Sequence, residues 1–329
     1  LRVTFDDKNG GISSLVSKED GHEYVGGEFC VPAIFDNTKP DTWAHMIFRF
    51  HDEIAKPELA SIELVECGAA RAVVRVKHVY NGSYLTQDFI LAAGSKVIRV
   101  KCRILWQEPL TILKMPVTVA GSDPISTYEI PAGFIKRPCN GEEEPALTWG
   151  DVTAEGYGVS LISDAKYSYD CPDGTLRLTM LRNCIFADHY SNRPAADFSY
   201  TDEGLQRFEY AIYPHKGAEV QQEADKLNQK LVAVPVGYHK GALPRKKSFI
   251  SVNKPNISLS ALKFCEDGSG DVIIRLCETA GKPVKAAIVC DAANAGFYAD
   301  FGRQEVKTFR IDKDGFVKET DFLEGVTEE

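Results

Sequence analysis

An arginine on an otherwise apolar strand face carries the clearest chemical signal in this chain. In the run Leu176, Leu178, Met180, Arg182 a period of two puts the guanidinium among core side chains. A charge there is costly unless it is paired or opens onto a cleft. A buried ion pair and a ligand contact at a sheet rim both meet that condition. Tyr128 follows Ser126-Thr127 and precedes Ile130-Pro131-Ala132-Gly133, so it marks a strand end entering a turn. A packed ring with a satisfied hydroxyl is expected there, with ligand contact as the alternative. Asp41-Thr42-Trp43-Ala44-His45 places an indole and an imidazole in a polar loop. Such an indole serves either as a core anchor or as a stacking platform for the apolar face of a sugar ring.

Complete acid–base machinery is harder to find. Glycoside cleavage uses paired carboxylates, and Glu142-Glu143-Glu144 is the densest acidic run. Its position between Gly141 and Pro145 predicts a solvated acidic turn. The seven histidines are scattered, and none stands at a spacing from a second histidine or a carboxylate that suggests a metal site, apart from the adjacent His51-Asp52. Neighbours on a strand point to opposite faces, so no metal-ligand spacing is present. His215 closes Tyr213-Pro214-His215 beyond a strand and is expected as a hydrogen-bonded structural histidine. Walker, GxGxxG, GxSxG and HExxH motifs are absent.

The 329 residues are enough for two or three domains. With 44% hydrophobic and 26% charged residues the composition is that of a folded globular chain. No run of about eighteen apolar residues is present to span a bilayer. A formal charge of −9 disfavours nucleic acid and anionic membranes as partners, but not a neutral ligand such as a sugar. Nine widely spaced cysteines without a CxxC pair read as reduced thiols of a cytoplasmic protein. The sequons at Asn81 and Asn256 are then chance matches. Because the chain begins at Leu1 without a methionine or a signal-like segment, it reads as part of a longer protein.

Period-two alternation supplies the elements that must position these groups. From Ser95 to Trp106, Ile98, Val100, Cys102, Ile104 and Trp106 share one face while Arg99, Lys101 and Arg103 share the other. Residues 71–80, 175–182, 207–214 and 271–277 read the same way, and turn dipeptides such as Asn81-Gly82 and Asp173-Gly174 separate the runs. The prediction is an all-β, antiparallel fold: a large sandwich over residues 1–235, a linker at 236–247 and a smaller β-sandwich over 248–329. One helix, with Val220, Ala224, Leu227 and Leu231 at helical spacing between Ala218 and Leu231, is expected between them.

Four blocks carry a resemblance to the C-terminal half of the family 38 glycoside hydrolases, the α-mannosidases. Tyr128–Pro138 (YEIPAGFIKRP) is the first; Trp149–Asp151 (WGD) with Tyr157–Tyr167 (YGVSLISDAKY) is the second. Thr175–Arg182 (TLRLTMLR) resembles the family's L-x-L-x-LLR strand, and Asp202–Gly204 with Phe208–His215 (FEYAIYPH) its final block. Asp41–Trp43, Leu259–Lys263 and Ile274–Glu278 extend the likeness, and its flavour is that of bacterial, cytoplasmic members. The resemblance implies a large β supersandwich similar to galactose mutarotase. It also implies a retaining, exo-acting, zinc-dependent α-mannosidase whose zinc and nucleophile belong to a separate N-terminal barrel. No catalytic or metal-ligating residue is then expected on this chain. The implied partners are that barrel and an α-mannoside or oligosaccharide, with self-association into a homo-oligomer left open. Tyr128 and Arg182 align with substrate-contacting positions of the family, and Arg137, Trp43 and His45 are weaker candidates. Two rivals stay open. A mutarotase-like epimerase would use His215 or His78 with a glutamate; a carbohydrate-binding module would expose Trp43, Trp106 or Trp149 as a platform.

Overall fold

The computed structural model describes residues 1–39, 41–188, 198–217 and 220–325. Alternation in the sequence becomes strand throughout. Ile98–Trp106 buries its apolar face and leaves Arg99, Lys101 and Arg103 outside. Tyr80 pairs with Ser83 across Asn81-Gly82, where Asn81 takes a positive φ of 46° that asparagine tolerates in a tight hairpin.

Among the described residues the largest sheet has nine antiparallel strands. In spatial order they are Gly133–Arg137, Ile125–Ile130, Trp149–Ala154, Tyr157–Ser163, Gly204–Lys216, Ile98–Trp106, Ser83–Ala92, Arg71–Tyr80 and Glu58–Cys67. A second sheet is centred on Thr111–Val119, which pairs with Thr175–Asn183 on one side and with Ala33–Asp36 and Val25–Phe29 on the other. Ser168–Asp170 and Glu144–Pro145 extend it beyond Thr175–Asn183. One apolar layer joins the two sheets: Leu85, Val100, Ile104 and Tyr210 from the first meet Leu113, Met115, Leu178 and Met180 from the second. Each such side chain contributes roughly 1.5–3 kcal/mol of burial. The Trp106 indole in this layer donates to Thr111 Oγ1 at 3.0 Å, so its N–H is not left unpaired.

A β-bulge corrects the expected direction of Arg182. Leu113 pairs with Leu181 but Lys114 pairs with Thr179, leaving Met180 as an extra residue on Thr175–Asn183. An inserted residue reverses the alternation beyond it. Met180 and Leu181 therefore both enter the core, and Arg182 joins Arg177 and Thr179 on the opposite face.

The helix is Val220–Asn228, with Val220, Ala224 and Leu227 buried. It is shorter than the expected 218–231: Ala218 lies outside the described residues, and Leu231 is fully exposed. Two compact units result, residues 1–129 with 135–228, and residues 130–134 with 229–329. The expected linker 236–247 thus counts with the second unit, as does the 130–134 turn, through Cys277 Sγ to the Ala132 carbonyl and Gln304 Nε2 to the Phe134 carbonyl. Long-range contacts of that kind leave no local signature. Three-stranded and four-stranded sheets in this unit enclose Ile274, Leu276, Ile288, Phe301 and Phe309. Residues 326–329 of the expected small domain lie outside the described residues.

Gly26 marks the tightest approach of Val25–Phe29 to the central strand, since a Cβ there would come within 2.2 Å of the Val119 carbonyl oxygen. Gly26→Ala is expected to destabilise by about 1–3 kcal/mol. In urea this reads as a lower midpoint at constant m value, and an unaltered midpoint would contradict the packing.

Candidate functional site

On the outward face of its strand Arg182 holds a loop in place. Nη2 donates to the Asp41 carbonyl at 2.7 Å, Nη1 to the Thr42 carbonyl at 2.8 Å and Nε to Asn37 Oδ1 at 3.1 Å. The planar fork of guanidinium donors suits several acceptors on one segment better than an ammonium would. Asn37 in turn donates to the Asn183 carbonyl, and the Asp188 amide donates to Thr42 Oγ1 at 3.0 Å. The loop is thereby tied to the end of Thr175–Asn183 and to the segment that follows it.

Inside the loop the buried Asp41 carboxylate organises what is presented outward. Oδ1 accepts from the amides of Trp43 and His45, and Oδ2 faces His45 Nδ1 at 2.8 Å. Ala44 and Met46 sit at φ of 51° and 60°, a left-handed backbone that residues with a Cβ adopt at a cost. That geometry leaves Trp43 half exposed and Met46 and Phe48 largely exposed. The Trp43 and His45 rings lie 5.9 Å apart. An imidazole whose Nδ1 is oriented by a carboxylate is suited to hydrogen bonding a polar ligand or moving a proton.

Behind the loop lies a charge cluster that sequence reasoning missed. Lys114 is completely buried, with Asp170 at 2.7 Å from Nζ and Glu143 as its second carboxylate partner. Asp170 is shared with Arg177 Nε at 2.6 Å, while Ser168 and Thr179 hydroxyls donate to Glu143. Lys114 Nζ lies 5.8 Å from the Phe50 ring, and Arg182 Cζ lies 5.5 Å from the same ring. The acidic turn is therefore not the solvated run expected from its composition. Glu142 pairs with Arg49 at 3.1 Å and Glu144 with Arg137 at 2.9 Å, so each glutamate meets a cation. A lysine in the largely apolar run Thr111–Val119 is the signal that could have revealed the cluster.

Arg137 and Tyr128 end this chain of contacts. The Arg137 guanidinium lies 5.6 Å above the Tyr128 ring. Tyr128 itself is 1% exposed and packs beside Tyr169 in the core, and burial raises its hydroxyl above the ordinary tyrosine range. The structure thus brings Arg182, Trp43 and His45 into one group and Arg137 with Tyr128 into another, joined by Lys114 and the acidic turn. The residues of the rival readings lie elsewhere. His215 Nε2 is buried against Asp151 Oδ1 (2.8 Å) and Ser160 Oγ (3.1 Å), beside a cleft of about 670 Å³ that Tyr24, Lys96 and Tyr213 help to line. His78 Nε2 faces the Asn9 carbonyl at 2.8 Å. Trp106 and Trp149 are buried, which leaves Trp43 as the exposed indole. Among the described residues no three His, Cys, Asp or Glu side chains converge on a point that could hold a metal ion, so they do not fit a zinc site.

Burial opposes ionisation of Glu143, but the Lys114 charge and the donors around it hold the carboxyl below the ordinary glutamate range. Its stabilising contribution is then complete above the unfolded value of about 4.3 and is lost as pH falls through the lower folded value. Glu143→Gln is expected to destabilise by about 1–3 kcal/mol near neutrality. It is also expected to flatten the loss of stability on acidification. Identical acid limbs for variant and wild type in pH-dependent urea unfolding would contradict the pairing.

Residues 1–190 match the family described as "Glycosyl hydrolases family 38 C-terminal domain". "Alpha-mannosidase 2C1" of Homo sapiens is 29% identical over 327 residues, covering 88% of this chain and 30% of its own length. "Alpha-mannosidase G" of Dictyostelium discoideum is 26% identical over 296 residues, with 83% and 26% covered. The crystal structure of an alpha-mannosidase from Enterococcus faecalis V583 superposes with a TM-score of 0.78 at 13% identity, over 94% of this chain and 41% of that one, a likeness of fold. The chain thus spans about 30% of the human relative's length and 26% of the Dictyostelium one's. The family match takes in both the loop held by Arg182 and the acidic turn behind it and extends over more than half of the sequence; the chain belongs to the family 38 glycosyl hydrolase C-terminal domains.

Proposed function

We propose that this chain is the β half of a retaining, exo-acting α-mannosidase, and that its 41–45 loop forms one wall of a substrate pocket completed by an N-terminal catalytic barrel. Retention requires two carboxylates about 5 Å apart; in this reading both come from the barrel, as does the zinc that the family implies, and no step of the chemistry runs through the residues described above. What this half contributes is positioning and the exclusion of water. The observation that carries the reading is the Arg182 clamp: three hydrogen bonds fix a strained loop whose exposed side chains are an indole and a carboxylate-oriented imidazole. Trp43 would stack on the apolar face of the mannosyl ring, and His45 would hydrogen bond a sugar hydroxyl. Arg137 would stand at the edge of the pocket, with Tyr128 supporting it from the core. A cytoplasmic setting suits nine thiols, none of them in a disulfide.

In the full-length enzyme, Trp43→Ala is expected to raise KM for an aryl α-mannoside about tenfold, the equivalent of 1.4 kcal/mol, without unfolding the protein. Arg182→Ala, which frees the loop, should raise KM or lower kcat while the circular dichroism spectrum is retained. Unchanged kinetics in both variants would make the loop mere scaffolding. This chain purified alone is expected not to hydrolyse the same substrate; turnover free of contaminating glycosidase would contradict the assignment of the catalytic groups to the barrel.

A further inference from the structure

The geometry points to Cys139 and Cys171 as a reversible redox pair that staples the acidic turn to the end of Ser168–Asp170. Their Sγ atoms lie 3.5 Å apart. The two segments are already registered by the backbone: the Gly141 amide donates to the Cys171 carbonyl at 3.3 Å, the Asp173 amide donates to the Cys139 carbonyl at 3.1 Å, and Asn140 bridges to Pro172. A disulfide requires sulfurs about 2.05 Å apart. Closure therefore requires the two sulfurs to move closer than they now lie.

The two thiols are unequal in a way that suits sequential chemistry. Cys139 is half-buried and Cys171 fully buried, so an oxidant from solvent meets Cys139 first. The Cys171 thiol donates to Cys139 Sγ, which lowers the Cys139 pKa and raises that of Cys171. A thiolate-prone, accessible cysteine beside a protonated partner is the arrangement of an attacking and a resolving sulfur. With hydrogen peroxide as oxidant, the Cys139 thiolate attacks one peroxide oxygen and expels hydroxide, which takes up a proton to become water. The product is a sulfenic acid. Cys171 Sγ then attacks Cys139 Sγ, its proton leaves with the departing hydroxyl, and a second water forms with the disulfide. Two thiols and one peroxide thus give one disulfide and two waters, and a dithiol reductant reverses the bond.

Closure would act on the charge cluster. Glu143 follows Cys139 by four residues and Asp170 immediately precedes Cys171, so the bond would tether both acidic partners of Lys114.

The test treats the full-length protein with hydrogen peroxide and maps the peptides without reduction. The expected product is a peptide linking Cys139 to Cys171, lighter by two hydrogen atoms, removed by dithiothreitol and accompanied by a rise in Tm. Cys139→Ser should form no such link, whereas Cys67→Ser, which alters an exposed and unrelated thiol, should form it as wild type does. The wild-type map decides the matter even where a variant folds poorly. Accumulation of Cys139 sulfinic acid without the link, the link without a change in Tm, or no reaction at Cys139 would overturn the proposal.

Discussion

A buried ammonium sets the terms for the outward face of the second sheet. Lys114 has no contact with water, and an uncompensated charge in that position would cost several kcal/mol. The fold must therefore bring carboxylates to it, and it does so from two directions: Asp170 from the strand beyond Thr175–Asn183 and Glu143 from the acidic turn. Arg177 completes the balance through Asp170. The turn that would otherwise be a polar connection becomes a fixed part of the molecule, flanked by Glu142–Arg49 and Glu144–Arg137.

That constraint reaches the loop through Phe50. One ring lies between two cation contacts, Lys114 from the cluster and Arg182 from the clamp, each worth about 0.5–2 kcal/mol. Arg182 can reach the loop because Met180 is an extra residue in its strand. Without that bulge the guanidinium would turn into the apolar layer and the carbonyls of Asp41 and Thr42 would lose their donors. The loop pays for its left-handed residues with these hydrogen bonds, and the result is a rigid display of Trp43 and His45.

How much of this could be read from the sequence depends on the range of the interaction. Strands declared themselves because alternation is local: Ile98–Trp106 buries the residues that its pattern assigns inward. Arg182 stands out in the sequence as an anomaly, but its direction does not, since a bulge shifts parity without any change in the composition of the strand. The pairing of the acidic turn is hidden for a related reason. Nothing near Glu143 announces a lysine on a strand about thirty residues earlier, and the partner appears only when Thr111–Val119 and Ser168–Asp170 lie in one sheet. Trp43 and His45 were legible as a polar loop with an indole, whereas the clamp that holds the loop is long-range and was not.

A crystal structure of the full-length protein with a mannose-configured inhibitor would show whether the loop held by Arg182 is a wall of a mannoside pocket. The Trp43 ring is expected within about 4 Å of the sugar carbons, with the Asp41–His45 pair intact beneath it. A sugar bound with the 41–45 loop facing solvent, away from the ligand, would contradict that role.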